Sequence, residues 1–290
     1  MNIGILGNFV NNKVINDLTT NSSNNIIGIF DYNVMNINSY TDSPLECFND
    51  VHRLLRLVDT VYITDSAVYL NYIIKAIGHH ANIILETPKI IRKNDFQLLE
   101  RMNDIQNINF TTSFLLRYRN ILNEIKRMLE EDLIGELHTI TLIKKNKNKN
   151  ISKSLIDIYT LYYYLFSSEV KVETIKCSCL NNVFKTKFIN NKTHYINIEI
   201  NLLEEDENLK IMIEGSKGTI EYSLNKLFVN RVPSNNTIKN NTVIIEEKQL
   251  KESGNIDNSD FTVLNGFEIF LKAIHLFLYI EFNENKIYIK

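Results

Sequence analysis

The chain has 290 residues and a net charge of -2, long enough for a large core and for two domains of ordinary size. That near-neutral balance, with no continuous basic face, gives no electrostatic case for a nucleic-acid partner. Three cysteines, Cys47, Cys177 and Cys179, follow no disulfide framework, and the last two share a strand face too closely for an unstrained bridge, which fits a reducing cytoplasm. About one residue in seven is asparagine, and that composition by itself scatters triplets such as Asn21-Ser22-Ser23 that carry no glycosylation signal. No charged and then apolar leader precedes the first strand, so no signal peptide is expected. The most apolar stretch, from Phe261 to Phe282, contains Glu268, Lys272 and His275 and reads as a buried helix, so no membrane partner is expected.

In chain order, Ile3 to Gly7 reads as a short apolar strand, Asn8 to Asn12 as a turn, and Ile26 to Phe30 as a second strand ending at Asp31. This is a Rossmann opening in outline. The dinucleotide fingerprint uses three glycines, for a tight turn, close pyrophosphate approach and close helix packing, with an acid about twenty residues on for the ribose. Gly7 holds the first place, whereas Phe9 and Asn12 stand at the second and third. Candidate cofactor contacts here are Gly7, Asn8, Phe9, Val10 and Asp31. A carboxylate at Asp31 can accept both ribose hydroxyls and would repel a 2′-phosphate, favouring NAD over NADP. Asp31-Tyr32-Asn33 also suits a plain turn, and both readings stand.

Pro44 to Leu57 predicts a helix covering the sheet. Val58 to Lys89 then reads as strand, helix, strand. Val61, Tyr62 and Ile63 form an apolar run that stops at Thr64, Asp65 and Ser66. Leu70, Ile73, Ile74 and Ile77 recur at helical spacing up to Gly78, and Ile83, Ile84 and Leu85 make a second run closed by Pro88. Two buried strands around one helix imply a parallel sheet. Asn94 to Met102 predicts a helix burying Phe96, Leu98 and Leu99, and Asn109 to Phe114 a further strand, the order of a doubly wound sheet.

After Arg117-Tyr118 comes an amphipathic helix, then Ile134-Gly135-Glu136 before a strand. Lys144 to Lys153 reads as a solvated loop. Leu155 to Phe166 reads as a helix whose Tyr159, Tyr162, Tyr163 and Tyr164 serve packing. Beyond Val170 the pattern turns to strand alternation, clearest where Ile196, Ile198, Ile200 and Leu202 alternate with polar neighbours. Ile211 to Ile213 and Val243 to Ile245 add strands, a helix runs from Asp260, its cap, to Phe282, and Ile287 to Ile289 closes the chain. The six histidines, His52, His79, His80, His138, His194 and His275, show no metal-ligand spacing, so no metal site is expected.

The unit ending Glu86-Thr87-Pro88 resembles the Gfo/Idh/MocA family of nicotinamide-dependent oxidoreductases, whose segment ends Glu-Lys-Pro. The Arg117-Tyr118 pair, Ile134-Gly135-Glu136 and the Gly-x-x-Gly of Gly215 to Gly218 resemble the same family. The resemblance implies an α/β fold: a Rossmann-type doubly wound parallel sheet over residues 1–112, then an α+β domain over 113–290 on an open, mostly antiparallel sheet. It further implies NAD or NADP as cofactor, with Thr64, Asp65, Glu86, Thr87 and Arg117 near it, a small-molecule substrate, and a homodimer or homotetramer formed through the C-terminal sheet.

Two departures bear on chemistry. The family lysine, which helps move the proton accompanying hydride transfer, is Thr87. The histidine and aspartate that family members place three residues apart are also absent as a pair. Anchoring on Asp157 as the family's earlier aspartate puts Leu161 and Tyr164 at their places; an ungapped anchor on Leu165-Phe166 puts Asp157 and Thr160 there instead. The ungapped register is preferred, because a gap inside a helix would rotate its buried face. It leaves Asp157 as the candidate catalytic acid. Two readings of function follow: an NAD(P)-dependent oxidoreductase whose substrate needs little proton help, as in biliverdin reductase, or a non-catalytic relative serving as subunit, sensor or scaffold.

Overall fold

The computed structural model describes residues 1–7, 24–33, 45–64, 67–89, 91–103, 109–145, 150–166, 175–180, 183–190, 194–201, 208–224, 226–231, 241–246 and 266–283. The chain divides into two compact units, Met1–Arg117 with Ser253–Leu271, and Tyr118–Glu252 with Lys272–Lys290.

The first unit holds a six-stranded sheet of β1 (Asn2–Leu6), β2 (Asn25–Phe30), β3 (Glu46–Cys47), β4 (Thr60–Ile63), β5 (Asn82–Leu85) and β6 (Phe110–Thr112). Their order is β3-β2-β1-β4-β5-β6 and every pairing is parallel. A parallel sheet is covered on both faces, so its strands read as nearly unbroken apolar runs. Val61, Ile63, Ile83, Ile84 and Leu85 are accordingly all fully buried. Each such side chain contributes about 1.5–3 kcal/mol relative to exposure.

The segment from Pro44 to Leu57 is not one helix. Residues 46 and 47 form the edge strand β3, the Phe48 N–H donates to the Ile29 carbonyl at 2.8 Å, and only α1 (Val51–Leu55) is helical. Pairing with β2 takes up this segment's backbone groups, and the Asp50 carboxylate starts the helix by accepting the His52 N–H at 2.9 Å. Helix α2 (Tyr69–Gly78) begins at Val68 without a side-chain cap. Its buried stripe is Tyr69, Tyr72, Ile73 and Ala76, while Ile74 is exposed. The two tyrosine rings bury more area than the isoleucines they displace, which rotates the inward face from the expected Leu70, Ile73, Ile74, Ile77 stripe. In α3 (Lys93–Asn103), Leu99 is buried and Leu98 is exposed, since consecutive side chains point about 100° apart around a helix and this one is covered on one side. Helix α4 (Ser113–Glu130) starts directly after β6, with the Thr112 hydroxyl accepting the Leu115 N–H at 3.3 Å.

The second unit is built on β7 (Leu137–Lys145), α5 (Ile151–Phe166), β8 (Lys176–Leu180), β9 (Val183–Ile189), β10 (Tyr195–Asn201), β11 (Asn208–Gly215), β12 (Gly218–Ser223), β13 (Lys226–Arg231) and β14 (Asn241–Glu246). Eight strands run in the order β14-β13-β12-β11-β7-β10-β9-β8, antiparallel except for the parallel β7/β10 pair. Ile140 and Leu142 of β7, Ile196, Ile198 and Ile200 of β10, and Ile211 and Ile213 of β11 form the buried face. Tyr162 of α5 sits edge-on over Phe188 of β9, with ring centroids 5.5 Å apart. Tyr159, Tyr162, Tyr163 and Tyr164 are all buried, as packing residues should be. The other face carries the ion pairs Lys185–Glu199 at 2.8 Å and Lys210–Glu221 at 2.9 Å.

Two short motifs interlock here. Gly135 adopts φ 72°, and a Cβ there would strike the Ser216 side chain. The β11/β12 turn then docks on it: the Lys217 N–H donates to the Ile134 carbonyl and the Ser216 N–H to the Glu136 carbonyl, each at 2.8 Å. The Glu136 N–H donates to the Ser216 hydroxyl at 3.1 Å. The last helix, α6, is described over Gly266–Asn283, and Phe267 and Phe270 pack their rings on Phe110 of β6. Asp260 and residues 287–289 lie outside the described residues. No helix among the described residues is long and apolar enough to cross a membrane.

Candidate functional site

The register of the first sheet aligns the residues that leave its carboxyl edge. Leu6 pairs with Phe30 on one side and with Ile63 on the other, and Ile63 pairs with Leu85. The next residue of each strand, Asp31, Gly7, Thr64 and Glu86, therefore forms a row across four strands, about 14 Å long at the usual strand spacing. In this strand order the connections diverge on either side of β1, and the crevice outside the carboxyl ends at such a point is where open α/β sheets take ligands.

Each member of the row has a defined local cause. Gly7 has φ 106°, a conformation L side chains rarely adopt, while its N–H donates to the Phe30 carbonyl at 2.8 Å. Asp31 is buried, and its Oδ1 accepts the Asn33 N–H at 2.9 Å, so the carboxylate both shapes the turn and is held at the strand end. The Thr64 N–H donates to the Leu6 carbonyl at 3.0 Å, and its Oγ1 is buried with no partner among the described residues. The Glu86 N–H donates to the Ile63 carbonyl at 2.8 Å. Thr87, next in the chain, is buried. Arg117 is exposed on α4, the helix that follows β6 from the same edge. Asn8, Phe9, Val10, Asn12 and Asp65 lie outside the described residues.

Asp157 belongs to the second unit, on α5. Its Oδ2 is 2.5 Å from the Nζ of Lys144, and both side chains are almost wholly buried, at 3% and 4% exposure. Lys144 is a strand residue rather than part of a solvated loop. It continues the inward alternation of Ile140 and Leu142 on β7, and that period of two was the available signal. The Thr160 hydroxyl donates to the Ile156 carbonyl at 2.7 Å and so is spent within its own helix.

Sequence reasoning also missed an aromatic group beside Asp31. Tyr32 stacks on Tyr72 of α2 with ring centroids 5.1 Å apart and planes at 24°, and Phe30 meets Tyr32 edge-on at 5.4 Å. The Tyr32 N–H donates to the Tyr72 hydroxyl at 3.1 Å.

No protein-family model matches the chain. Over 191 residues it is 22% identical to the glucose-6-phosphate 3-dehydrogenase of Bacillus subtilis, covering 59% of this chain and 54% of that enzyme. The match thus spans about half of that relative's length. Among solved structures, an NAD binding oxidoreductase from Klebsiella pneumoniae superposes with a TM-score of 0.73 at 12% identity, covering 97% of this chain and 96% of the other. The UDP-N-acetylglucosamine 3-dehydrogenase of Acidithiobacillus ferrooxidans gives 0.72 at 13% identity, with 97% of each chain covered. In sequence and fold the chain resembles, as a distant homologue, the Gfo/Idh/MocA family.

This is a family of NAD(P)-dependent oxidoreductases, and its members bind NAD(P). In the present chain the described strand ends fit such a group. The buried Thr64 hydroxyl lacks a partner among the described residues, Gly7 keeps its strand end free of a side chain, and Asp31 holds a carboxylate where a ribose would need an acceptor.

Proposed function

We propose that the protein is an NAD(P)-dependent oxidoreductase that moves a hydride to or from a small molecule, with NAD favoured over NADP. The observation that carries this reading is the row Asp31, Gly7, Thr64, Glu86 with its unpartnered Thr64 hydroxyl. Asp31 would accept the ribose hydroxyls, and Gly7, Asn8, Phe9, Val10, Thr64, Asp65, Glu86, Thr87 and Arg117 would line the cofactor's path. Residues 1–112 would serve cofactor binding, and residues 113–290 substrate binding and association. A bound nicotinamide would supply or accept the hydride. Thr87 can donate one hydrogen bond but carries no charge, so it cannot shift a neighbouring group's pKa as an ammonium would. Asp157 or a water would deliver the proton, and positioning supplies much of the rate.

A second reading is supported by the Asp157–Lys144 ion pair and the buried, uncharged Thr87: a non-catalytic relative acting as subunit, sensor or scaffold. In either case the mixed polar and apolar outer face of the second sheet is the surface through which a cytoplasmic homodimer or homotetramer would form. Light scattering at micromolar concentration tests that association. Titration of the purified chain with NADH and with NADPH, followed by heat or fluorescence, separates the two functional readings. Micromolar binding of NADH is expected; absent or millimolar binding of both would remove the oxidoreductase reading.

A further inference from the structure

Within the first unit, α1 and α2 bring together two histidines that stand 27 positions apart in the chain, so no ligand spacing shows in the sequence. His52 lies in α1, and His79 caps the carboxyl end of α2. His52 Nδ1 and His79 Nε2 are 2.8 Å apart, with ring centroids at 5.1 Å and planes at 40°. His52 is exposed and His79 half-buried, so the pair opens to solvent. Ordered backbone holds both: the Asp50 carboxylate accepts the His52 N–H at 2.9 Å, and the His79 N–H donates to the Ala76 carbonyl at 3.1 Å. Among the described residues no group of three His, Cys, Asp or Glu side chains is placed to hold a metal ion. A metal here would take two protein ligands and complete its shell with water.

We propose that His52 and His79 form a two-imidazole site for a divalent transition metal, Ni²⁺ or Cu²⁺ ahead of Zn²⁺, that ties α1 to α2. Metal–nitrogen bonds of about 2.0–2.1 Å place neighbouring ligands of a square-planar or octahedral ion roughly 2.9 Å apart, and those of a tetrahedral ion roughly 3.3 Å apart. The observed separation of 2.8 Å matches the first of these. Imidazole suits all three ions, so geometry does the selecting. Each ring must turn until its lone pair points beside the line joining the two nitrogens, a motion that surface side chains make without disturbing the core. Lys75 opposes the site, because its Nζ lies 3.3 Å from His52 Nε2. Lysine only donates, so this contact keeps the His52 proton on Nδ1, the nitrogen a metal needs. Metal entry therefore moves that proton to Nε2 and turns Lys75 away. Of the other nearby charges, Asp50 favours a cation at His79 and Arg56 opposes it. The inference is independent of the dinucleotide reading.

The test is calorimetric titration of the untagged full chain with Ni²⁺ and with Zn²⁺, for the wild type, His52→Gln, His79→Gln, His80→Gln and Lys75→Gln. The wild type should take one Ni²⁺ at micromolar concentration and bind Zn²⁺ more weakly. His52→Gln and His79→Gln should each weaken Ni²⁺ by roughly tenfold or more, while His80→Gln, next to the pair in the chain, should stay within about twofold of wild type. Lys75→Gln removes a positive charge and offers an acceptor to the Nε2–H of His52, so it should bind Ni²⁺ more tightly than wild type. Melting temperature should rise with Ni²⁺ in the wild type and not in His79→Gln, and melts without metal check that each variant is folded. Electron paramagnetic resonance with one equivalent of Cu²⁺ should show two imidazole nitrogens in the wild type and one in His52→Gln. If the wild type binds Ni²⁺ only at millimolar concentration, or if folded His52→Gln and His79→Gln bind it as tightly as the wild type, the site does not exist. Loss of binding in His80→Gln alone would likewise overturn the assignment to this pair.

Discussion

The Lys144 ammonium lies 2.5 Å from the Asp157 carboxylate, with both side chains nearly excluded from water between β7 and α5. Breaking such a pair from one side strands a buried charge and costs about 3–5 kcal/mol, whereas replacing both partners with apolar groups is often near neutral. Lys144→Met and Asp157→Leu should each lower the urea midpoint strongly, and the double variant should recover most of the loss. Single losses below about 1 kcal/mol would mean that water reaches the pair in solution.

In the proposed function, Asp31 would set the cofactor preference. Wild type should favour NADH over NADPH by roughly ten- to hundredfold, corresponding to the 1–3 kcal/mol of a charge-assisted hydrogen bond. Asp31→Ala should narrow that gap in paired titrations. Equal affinity of the wild type for both would sink the assignment.

In the proposed function, Thr87 would limit the chemistry. With no ammonium at this buried position, NAD-linked oxidation of polyols and sugars should be absent or very slow in absorbance assays. Strong turnover of such a substrate by the wild type would refute the role given to this replacement.

Gly135 links two segments through its positive φ. Gly135→Ala should destabilise by about 1–3 kcal/mol, since the left-handed conformation and the contact with Ser216 both oppose a methyl group. Ser216→Ala, which removes one hydrogen bond from the Glu136 N–H, should cost about 1 kcal/mol. Thermal melts of the two variants check the ranking, and an unchanged Gly135→Ala would contradict it.

His52 and His79 form a pH-sensitive contact between α1 and α2. His52 Nδ1 and His79 Nε2 are 2.8 Å apart, and Lys75 Nζ lies 3.3 Å from His52 Nε2. Lysine can only donate, so the chain of bonds requires both imidazoles neutral. Burial, and then the neighbouring His52 and Arg56, hold the His79 pKa below its ordinary value, with Asp50 opposing. A lowered folded pKa means that the unfolded chain takes up the proton first, so this contribution is full above about pH 6.5 and is lost as pH falls below it. The melting temperature should be lower at about pH 5.5 than at about pH 7.5, and His79→Gln should shrink the difference. An identical pH dependence in the variant would exclude the pair as its source.

Much of the architecture was legible from local pattern alone. The runs at Ile3 to Leu6, Val61 to Ile63 and Ile83 to Leu85 are short, apolar and rich in isoleucine and valine, and strands of that kind are buried on both faces wherever they pair. The alternation of Ile196, Ile198 and Ile200 with polar residues likewise determined a sheet with one covered face. Gly7 and Asp31 could be placed at strand ends, because a turn restricts which residues it accepts. Tertiary structure decided what local pattern leaves degenerate. Ile74 and Tyr72 both fit a helical stripe, and packing area chose the tyrosine. The stretch around Lys144 is polar enough for a loop, and the carboxylate of Asp157, thirteen residues on, helps to make its burial tolerable. The level row of Asp31, Gly7, Thr64 and Glu86 is a matter of strand register, which arises from pairing between distant segments and is written in no single one of them.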